Sequence, residues 1–342
     1  MVSPVRIGIV TPAFNVAPYL GETIRSILDQ THQDWSMVVV DDGSTDDTAR
    51  VVRGFSDPRL RLISQPNAGV SAARNRGAEA LDCSAILFLD GDDWLAPFAL
   101  TALAEALGDV PEAVAAVGAY QRGGCVYRPV SGDLLKRLLV RNLFVNGGHV
   151  LIRRDHVQPF RHDLRYGEDW ECWVRLACST PVPADAQAVG GGPSPAMTLE
   201  LGPIQYFQPA LFAPTLETRP ILFVRERPGG AYLSMATNPT SFPPCLDAIH
   251  GNPALAARFP PDKRAALRLQ AEAESQWVIG RELIRHRRHR DGLRWLGRSV
   301  AAAPSVRRAA LLALAAGLPM LPAAWRGPLR PYASGTVQAS YP

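Results

Sequence analysis

Short apolar runs alternate with amphipathic segments along the first hundred residues of the chain. Four runs rich in Val, Ile and Leu are bounded by Pro, Gly or Asp and predict buried strands, at residues 5–11, 35–40, 60–64 and 86–89. The segments between them have helical patterns, at residues 18–30, 45–54 and 70–81. The chain therefore begins with a regular alternation of strands and helices.

This alternation is typical of βαβ units and predicts an α/β fold, with a parallel sheet and helices on both of its faces. Ligands of such sheets bind outside the carboxyl ends of the strands. Three polar or turn-forming segments follow predicted strands at that edge: Pro12–Asn15, Asp41–Ser44 and Asp90–Asp93. Because these segments would meet at one rim of the sheet, we expect a binding site there.

The middle of the chain has a looser pattern. Residues 146–153 predict a strand, and a helix is expected from Gly167, with Glu168 and Asp169 in its first turn, where the helix dipole favours anions. Residues 181–219 are rich in Pro and Gly, and a loop of that length is typical of functional or mobile segments.

Helices are predicted again in the C-terminal part. Residues 262–302 predict an antiparallel hairpin that turns near His289–Gly292, and Pro304 opens a further helix. Residues 309–325 are apolar, but two prolines interrupt them and they fall short of the about 20 residues that a membrane-spanning helix needs. Two alternatives stay open for this segment: an interfacial helix, favoured by the flanking arginines, and a core helix that closes the hairpin.

The composition is that of a globular protein. Of the 342 residues, 47% are hydrophobic and 20% are charged, which excludes a wholly disordered chain and allows one large domain with a smaller one. The five cysteines form no CxxC pair, so neither a disulfide framework nor a zinc ribbon is indicated, and a reducing cytoplasm fits best. The first residues lack the pattern of a signal peptide, and we therefore expect no export.

The net charge of +4 conceals an asymmetry. Residues 281–342 contain 11 arginines against two acids, Glu282 and Asp291, which leaves residues 1–280 at −5. A basic tail on an acidic body indicates contact with an anionic surface, either phospholipid headgroups or nucleic acid.

The fourth apolar run ends in three carboxylates, Asp90, Asp92 and Asp93. Carboxylates this close together repel one another unless a cation or a set of donors offsets their charge. Mg²⁺ and Mn²⁺ prefer oxygen ligands, usually one or two carboxylates together with substrate phosphates. Local sequence alone leaves a surface turn as the alternative, since Asp and Gly favour turns. The position of the acids at the predicted rim favours the metal site.

Such a cluster indicates metal-assisted handling of a phosphorylated ligand, in which the cation stabilises a leaving nucleoside diphosphate. A second carboxylate further along the chain would then be free to act as general base, and Asp169 is the candidate. Capping of the helix N-terminus by Glu168 or Asp169 is the structural alternative.

Five segments resemble the family 2 glycosyltransferases, which have the GT-A fold. They occur in the family's order and at plausible spacing: Ile9–Asn15, Val40–Thr48, Asn67–Gly77, Phe88–Trp94 and Gly167–Trp170. The resemblance implies a Rossmann-like, mostly parallel central sheet with helices on both faces, plus a small C-terminal α-helical region. It also implies an inverting enzyme of the non-processive bacterial type, which moves one sugar from a nucleotide-diphosphate sugar to an acceptor hydroxyl.

The resemblance implies that several matched residues bind the donor. Pro12, Phe14 and Asn15 would contribute to the nucleotide-sugar site, with Asp42 near the base or ribose. Arg74 would lie beside the base or the diphosphate.

The acidic residues receive separate roles from the resemblance. Asp92 would be the direct ligand of a divalent metal, Mn²⁺ or Mg²⁺, and Asp90 would contact the sugar or ribose. Asp169 matches the family's catalytic base and Glu168 its supporting neighbour. The resemblance assigns no role to Asp93.

The implied partners are a nucleotide-sugar donor, with a UDP-sugar favoured, and a saccharide or lipid-linked acceptor, as in polysaccharide biosynthesis at the cell envelope. We expect no nucleic acid partner. We expect a cytoplasmic protein, and its basic C-terminal region leaves peripheral contact with the inner membrane open. The implied division is a GT-A domain at 1–235, with a nucleotide-sugar-binding half at 1–110 and an acceptor half at 111–235, then a basic helical region at 236–330 and a tail at 331–342.

Some features depart from the family or leave alternatives. The chain lacks the Gln-x-x-Arg-Trp element and the long transmembrane helices of processive synthases, which favours a single transfer per encounter. A nucleotidyltransferase-like or non-catalytic nucleotide-sugar-binding protein of the same fold is the alternative, although Thr11–Asn15 is not the Gly-rich phosphate loop that the former would show. His149, Trp170 and Trp173 are better explained as packing or surface residues than as parts of the site.

Overall fold

The structure is a computed structural model that describes residues 5–129, 133–144, 147–179, 212–214, 219–225 and 243–317. The strands are β1 (Ile7–Ala13), β2 (Trp35–Asp41), β3 (Leu60–Ser64), β4 (Ala85–Phe88), β5 (Trp94–Leu95), β6 (Ala115–Val117), β7 (Tyr120–Arg122), β8 (Cys125–Tyr127), β9 (Val150–Arg153), β10 (Phe212–Pro214) and β11 (Leu222–Val224). The helices are α1 (Ala17–Leu28), α2 (Thr48–Arg53), α3 (Val70–Glu79), α4 (Ala99–Asp109), α5 (Leu134–Leu138), α6 (Glu168–Cys178), α7 (Pro243–His250), α8 (Pro261–Arg285), α9 (His289–Ala302) and α10 (Val306–Gly317). Short 3-10 turns lie at Arg154–His156 and Pro253–Leu255.

Seven strands form the central sheet, in the order β10-β6-β9-β4-β1-β2-β3. β1 runs parallel to β2 and β4, β2 runs parallel to β3, and β10 runs parallel to β6. Only β9 reverses the direction, because it lies antiparallel between β4 and β6. The predicted fold class, a mostly parallel sheet in an α/β protein, is confirmed.

Helices cover both faces of this sheet, as the pattern predicted. Val10 of β1 packs with Ala73 of α3 in one apolar core, whereas its neighbour Ile9 packs with Leu20 and Ile24 of α1 in the other. Successive side chains of a strand point to opposite faces. Every residue of β1 is therefore buried, which explains why the strand reads as a continuous apolar run.

A second, smaller sheet was not predicted. It has the order β5-β11-β7-β8, and its strands are two or three residues long. β5 follows directly after the acids at Asp90–Asp93, and Trp94 of β5 stacks on Phe223 of β11 with ring centroids 5.5 Å apart. This sheet therefore fixes the chain where it leaves the acid cluster.

The predicted C-terminal hairpin is confirmed as α8 and α9, but it turns at residues 286–288 rather than near Gly292. Arg287 is left-handed, with φ 63°, and the Arg288 N–H donates to the Leu283 carbonyl at 2.8 Å, which ends α8 as in a Schellman motif. Gly292 lies inside α9, where an added Cβ would come within 2.7 Å of the Gly280 carbonyl oxygen. This glycine allows the two helices to approach closely.

The C-terminal helices share the core of the N-terminal half. Cys245 and Leu246 of α7 and Leu267 of α8 belong to the same apolar core as Trp173 of α6. In α10, Ala315 packs with Leu296 and Ile284 of the hairpin. The division at residue 235 stays a prediction.

Several predictions fall partly or wholly outside the described residues. These are the strand start at residue 146, nearly all of the Pro- and Gly-rich segment 181–219, the end of the apolar segment 309–325, and the tail 331–342. Across the parts that are described, none of the helices has the length and apolar character needed to cross a membrane.

The start of α6 depends on a tight contact. Gly167, the residue before the helix, has φ +74°, a left-handed conformation that favours glycine. An added Cβ there would lie 2.3 Å from the Cys245 Sγ of α7, whose thiol donates to the Gly167 carbonyl at 3.3 Å. Helix α7 thus holds the residue from which α6 begins.

We expect Gly167→Ala to destabilise the protein by about 1–3 kcal/mol, because it combines a disfavoured φ with a collision in a packed core. The change is measured by urea unfolding. Gly297→Ala is the matched control, since Gly297 lies inside α9 with no atom within 4 Å of an added Cβ, and alanine there should be neutral or stabilising by up to about 1 kcal/mol. Equal effects of the two substitutions would contradict the role of Gly167.

Candidate functional site

Turns that follow the first strands meet at one rim of the sheet, as predicted. The Asp42 N–H donates to the Ala13 carbonyl at 2.9 Å, which joins the end of β2 to the end of β1. The Asn15 N–H donates to the Ser44 hydroxyl at 3.0 Å, and the Asn15 side-chain oxygen accepts from the Thr45 N–H at 2.9 Å. Asn15 has φ 52°, a left-handed conformation that Asn tolerates. The two turns therefore form one continuous surface.

Two of the predicted nucleotide-binding residues differ in accessibility. Pro12 is buried inside β1, whereas Phe14 is 49% exposed at the rim. An exposed aromatic ring beside a polar turn offers a flat face to a planar ligand. Phe14, like the exposed Asn15, is thus a residue of this segment that a ligand reaches directly.

Asp42 is only 4% exposed, and its carboxylate organises the loop before α3. It accepts hydrogen bonds from the Ala68 and Gly69 N–H groups, both at 2.9 Å, and from the Gln65 side chain at 2.7 Å. Three donors on one carboxylate offset the cost of burying its charge. Gln65 is a supporting residue that the sequence pattern did not indicate.

The three acids after β4 lie close together. Their side chains each offer one oxygen, and these oxygens lie within 4.8 Å of one another at Asp90, Asp92 and Asp93. Asp93 is 1% exposed, its carboxylate accepts from the Arg225 N–H at 2.9 Å, and its own N–H donates to the Asp90 carbonyl at 3.1 Å. The residue without a predicted role therefore joins the acid loop to the chain after β11.

Arg74 of α3 joins this acid cluster to the start of α6. Its guanidinium donates to Asp90 at 3.0 Å and to Glu168 at 2.8 Å, and Arg74 is only 3% exposed. The face of the guanidinium lies over the Phe160 ring at 5.1 Å. Burial alone would lower the pKa of Arg74, but the two carboxylates outweigh it and raise the pKa.

Asp169 follows Glu168 in the first turn of α6. One of its oxygens accepts from the Trp170 N–H at 2.7 Å, and the other accepts from the Asn142 side chain at 3.0 Å. Removal from water, together with the charge of Glu168, raises the pKa of Asp169 to about 7. A carboxyl with this pKa can exchange a proton near neutral pH.

The structure also places the residues that the sequence left between two interpretations. Trp170 and Trp173 are 4% and 1% exposed and belong to the core, and the indole N–H of Trp170 donates to the Leu138 carbonyl at 2.5 Å. His149 is 1% exposed and packs against Tyr120, with ring centroids 4.8 Å apart. The prediction that the two tryptophans are packing residues is confirmed, whereas His149 is packed but also lines a cavity.

The sequence predicted no site role for Arg225, which the structure places beside the acid loop. Its Nε donates to the Asp92 carbonyl at 3.0 Å, and its Nη2 pairs with Glu22 of α1. Its guanidinium also lies over the Trp94 ring at 4.7 Å and over the Tyr19 ring at 5.1 Å. One side chain thus ties α1 and β5 to the acid loop.

Comparison with known proteins finds a family match in the N-terminal half of the chain. Residues 8–165 match the family model described as Glycosyl transferase family 2. The glycosyltransferase GlyA of Streptococcus pneumoniae is 41% identical over 92 residues, which are 26% of this chain and 13% of GlyA. The putative teichuronic acid biosynthesis glycosyltransferase TuaG of Bacillus subtilis is 36% identical over 90 residues, which are 25% of this chain and 36% of TuaG. These matches span only a minor part of each relative.

Two solved structures share the fold. TarS 1-349 of S. aureus has a TM-score of 0.56 at 14% identity, with 91% of this chain and 87% of that chain covered. The mannosyltransferase PcManGT from Pyrobaculum calidifontis, in complex with GDP-Man and Mn²⁺, has a TM-score of 0.53 at 20% identity, with 94% and 82% covered. The likeness confirms the GT-A fold with a helical C-terminal region.

We expect the pair formed by Arg225 and Glu22 to be energetically coupled, because each is partly buried and each would lose its charged partner. In a double-mutant cycle with Arg225→Gln and Glu22→Gln, the coupling measured by urea unfolding should be about 0.5–3 kcal/mol. The exposed pair Arg50–Asp47 is the matched control, and its coupling should stay below about 1 kcal/mol. A coupling at Arg225 no larger than that of the exposed pair would contradict the joining role.

Proposed function

Because residues 8–165 match the model of glycosyl transferase family 2, we propose that the chain is a metal-dependent, inverting glycosyltransferase. It moves one sugar from a nucleoside-diphosphate sugar to an acceptor hydroxyl. The observation that carries this proposal is the Arg74 bridge, which links Asp90 of the acid cluster to Glu168, the neighbour of Asp169. The Arg74 guanidinium therefore lies between the candidate site for the leaving diphosphate, at Asp90, and the start of α6, where the carboxyl of Asp169 has a raised pKa.

The acid cluster fits a hard divalent cation, since it offers three carboxylate oxygens within 4.8 Å of one another. Asp92 is the proposed direct ligand of Mn²⁺ or Mg²⁺. Asp90 and Asp93 lie beside it, and each accepts a hydrogen bond from the protein, Asp90 from Arg74 and Asp93 from the Arg225 N–H. When bound, the cation would stabilise the negative charge of the departing diphosphate. A protein of the same fold, PcManGT, is in complex with GDP-Man and Mn²⁺, which supports the class of donor and metal.

The nucleoside would lie on the rim formed by the turns after β1 and β2. Phe14 offers its exposed ring, while Pro12, Asn15 and Asp42 shape the turns that surround it. Arg74 acts beside the diphosphate through its contact with Asp90. These roles agree with the proposed donor half at residues 1–110, and a UDP-sugar is the first donor to test.

Asp169 is the proposed general base. Asn142 and the Trp170 N–H each donate to one of its oxygens, which fixes the orientation of the carboxylate and leaves a further lone pair on each oxygen. Asp169 accepts the proton of the acceptor hydroxyl, whose oxygen attacks the anomeric carbon while the bond from that carbon to the diphosphate oxygen breaks. One displacement from the opposite face inverts the configuration, so no enzyme nucleophile is needed.

We expect Asp169→Asn and Asp92→Ala to fail in different ways. Asp169→Asn should lower transfer or donor hydrolysis by about 10²–10⁴-fold, because it removes the base, yet leave donor binding nearly intact. Asp92→Ala should instead weaken metal-dependent donor binding. Binding is measured by thermal shift with nucleotide sugars and Mn²⁺, and turnover by release of the nucleoside diphosphate.

Asp163→Asn serves as the control for this pair, since its exposed carboxylate pairs only at the surface with Arg161, and it should change neither quantity. Equal loss of donor binding in the two site variants would refute the division of roles. If the unchanged protein with Mn²⁺ or Mg²⁺ neither bound nor hydrolysed any common nucleotide sugar, the proposed function itself would fail.

The pH profile of the reaction should report the raised pKa of Asp169. A general base works only when deprotonated, so kcat/KM should rise with pH and level off above an apparent pKa of about 7. The measurement is the initial rate of donor turnover from pH 5 to pH 9 at saturating Mn²⁺. A rate that is flat from pH 5 to pH 7 would show that no base with a raised pKa of about 7 controls the reaction.

A further inference from the structure

A cavity of about 740 Å³ lies in the half that the family resemblance assigns to the acceptor. Its walls come from β7, β8, α5, the segment after α5, and the first half of α8. This volume falls within the about 300–1,000 Å³ that is usual for small-molecule sites. A short saccharide fits a cavity of this size.

The lining of the cavity is strongly cationic. It contains Arg128, Lys136, Arg137 and Arg141, against a single carboxylate, Asp133. Asp133 already accepts from the Lys136 N–H at 2.9 Å as the N-cap of α5, where the helix dipole also favours its charge. The remaining positive field favours a ligand that carries carboxylate or phosphate groups.

Aromatic rings complete the cavity. Tyr120 and Tyr127 stack with ring centroids 4.8 Å apart, and Tyr127 is 41% exposed. Phe144 and His149 line the same wall, with their ring centroids 5.9 Å apart. Flat aromatic faces next to charged groups suit a sugar ring, which has apolar C–H faces and polar edges.

The cavity lies next to the candidate base. Arg141 and Leu143 line the cavity, and Asn142 between them donates to Asp169 at 3.0 Å. On the other side, Tyr120 of β7 is two strands away from Trp94 of β5, which is about 10 Å at the usual strand spacing. The cavity wall is therefore one residue along the chain from the side chain that holds Asp169, and two strands from the residue that follows the acid loop.

We propose that this cavity binds the acceptor and that the acceptor is an anionic saccharide, carrying carboxylate or phosphate groups that the arginines and Lys136 recognise. The assignment of the ligand as the acceptor depends on the position of the cavity near Asp169, and it therefore rests on the proposed function. The chemical class of the ligand rests on the lining of the cavity alone.

The test measures binding to the full chain by isothermal titration calorimetry, without donor or metal, in 50 mM salt. The probes form two matched pairs: maltose 1-phosphate with maltose, and a hyaluronan tetrasaccharide with chitotetraose. We expect at least one anionic probe to bind roughly tenfold or more tightly than its neutral partner, because charge-assisted hydrogen bonds add to the ring contacts. The pair that shows the difference tells phosphate from carboxylate.

Two variants assign the binding to the cavity. The double variant Lys136→Gln, Arg141→Gln should weaken the preferred anionic probe roughly tenfold, whereas the control Arg290→Gln, Arg294→Gln removes the same charge from α9 and should change nothing. Tyr127→Ser should weaken the saccharide probe but not inorganic phosphate. A thermal denaturation curve for each variant identifies any loss that comes from unfolding.

The outcomes separate this inference from the proposed function. No preference for anionic over neutral probes, or equal losses in the cavity and control variants, overturns the inference. Inorganic phosphate that binds as tightly as maltose 1-phosphate also overturns it, since the cavity would then be a general anion site. If anionic saccharides bind while no nucleotide sugar binds in Mn²⁺, the inferred ligand class stands and the proposed function fails.

Discussion

The buried charge of Arg74 is the constraint on which the site depends. A guanidinium that is 3% exposed costs several kcal/mol in lost hydration unless its partners are held in good geometry. Its partners come from separate parts of the chain, Asp90 after β4 and Glu168 at the start of α6. If either carboxylate moved away, the buried charge of Arg74 would lose a partner. The two ion pairs therefore hold the rim of the sheet and α6 at a fixed distance.

The environment of Asp169 follows from that fixed distance. Helix α6 starts at Gly167, which α7 holds through Cys245, while Asn142 reaches Asp169 from the segment after α5. The N-terminus of a helix normally favours a carboxylate. Here the loss of water and the adjacent Glu168 outweigh the dipole, and the pKa of Asp169 rises to about 7. The positive charge of Arg74 lowers the pKa of Asp169, but it does not offset these two effects.

How far sequence predicts this protein depends on the range of the interactions. The βα units of the first half follow from local apolar patterns. The acid cluster at the end of β4 and Asp169 at the start of α6 are also recognisable from local sequence. The strands β6, β7 and β11 are three residues long, too short to show a period, and β11 pairs with β5, more than a hundred residues earlier. Arg225 and Asn142 owe their roles to contacts with residues far away in the sequence, which local patterns do not predict. Gly292 shows the converse error, since a glycine that suggested a turn instead serves helix packing.

If the acid cluster binds the donor and the cavity binds an anionic acceptor, the two substrate sites carry opposite charges. Three carboxylates at Asp90–Asp93 would repel an anionic acceptor, so such an acceptor needs a compensating positive field of its own. The small sheet separates the acid loop from the cationic cavity by about 10 Å, which is close to the Debye length of about 8 Å at physiological salt. At that distance salt weakens the field of exposed charges, although it does not remove it. The short strands that the sequence concealed therefore set the distance between Trp94, which follows the acid loop, and Tyr120 in the cavity wall.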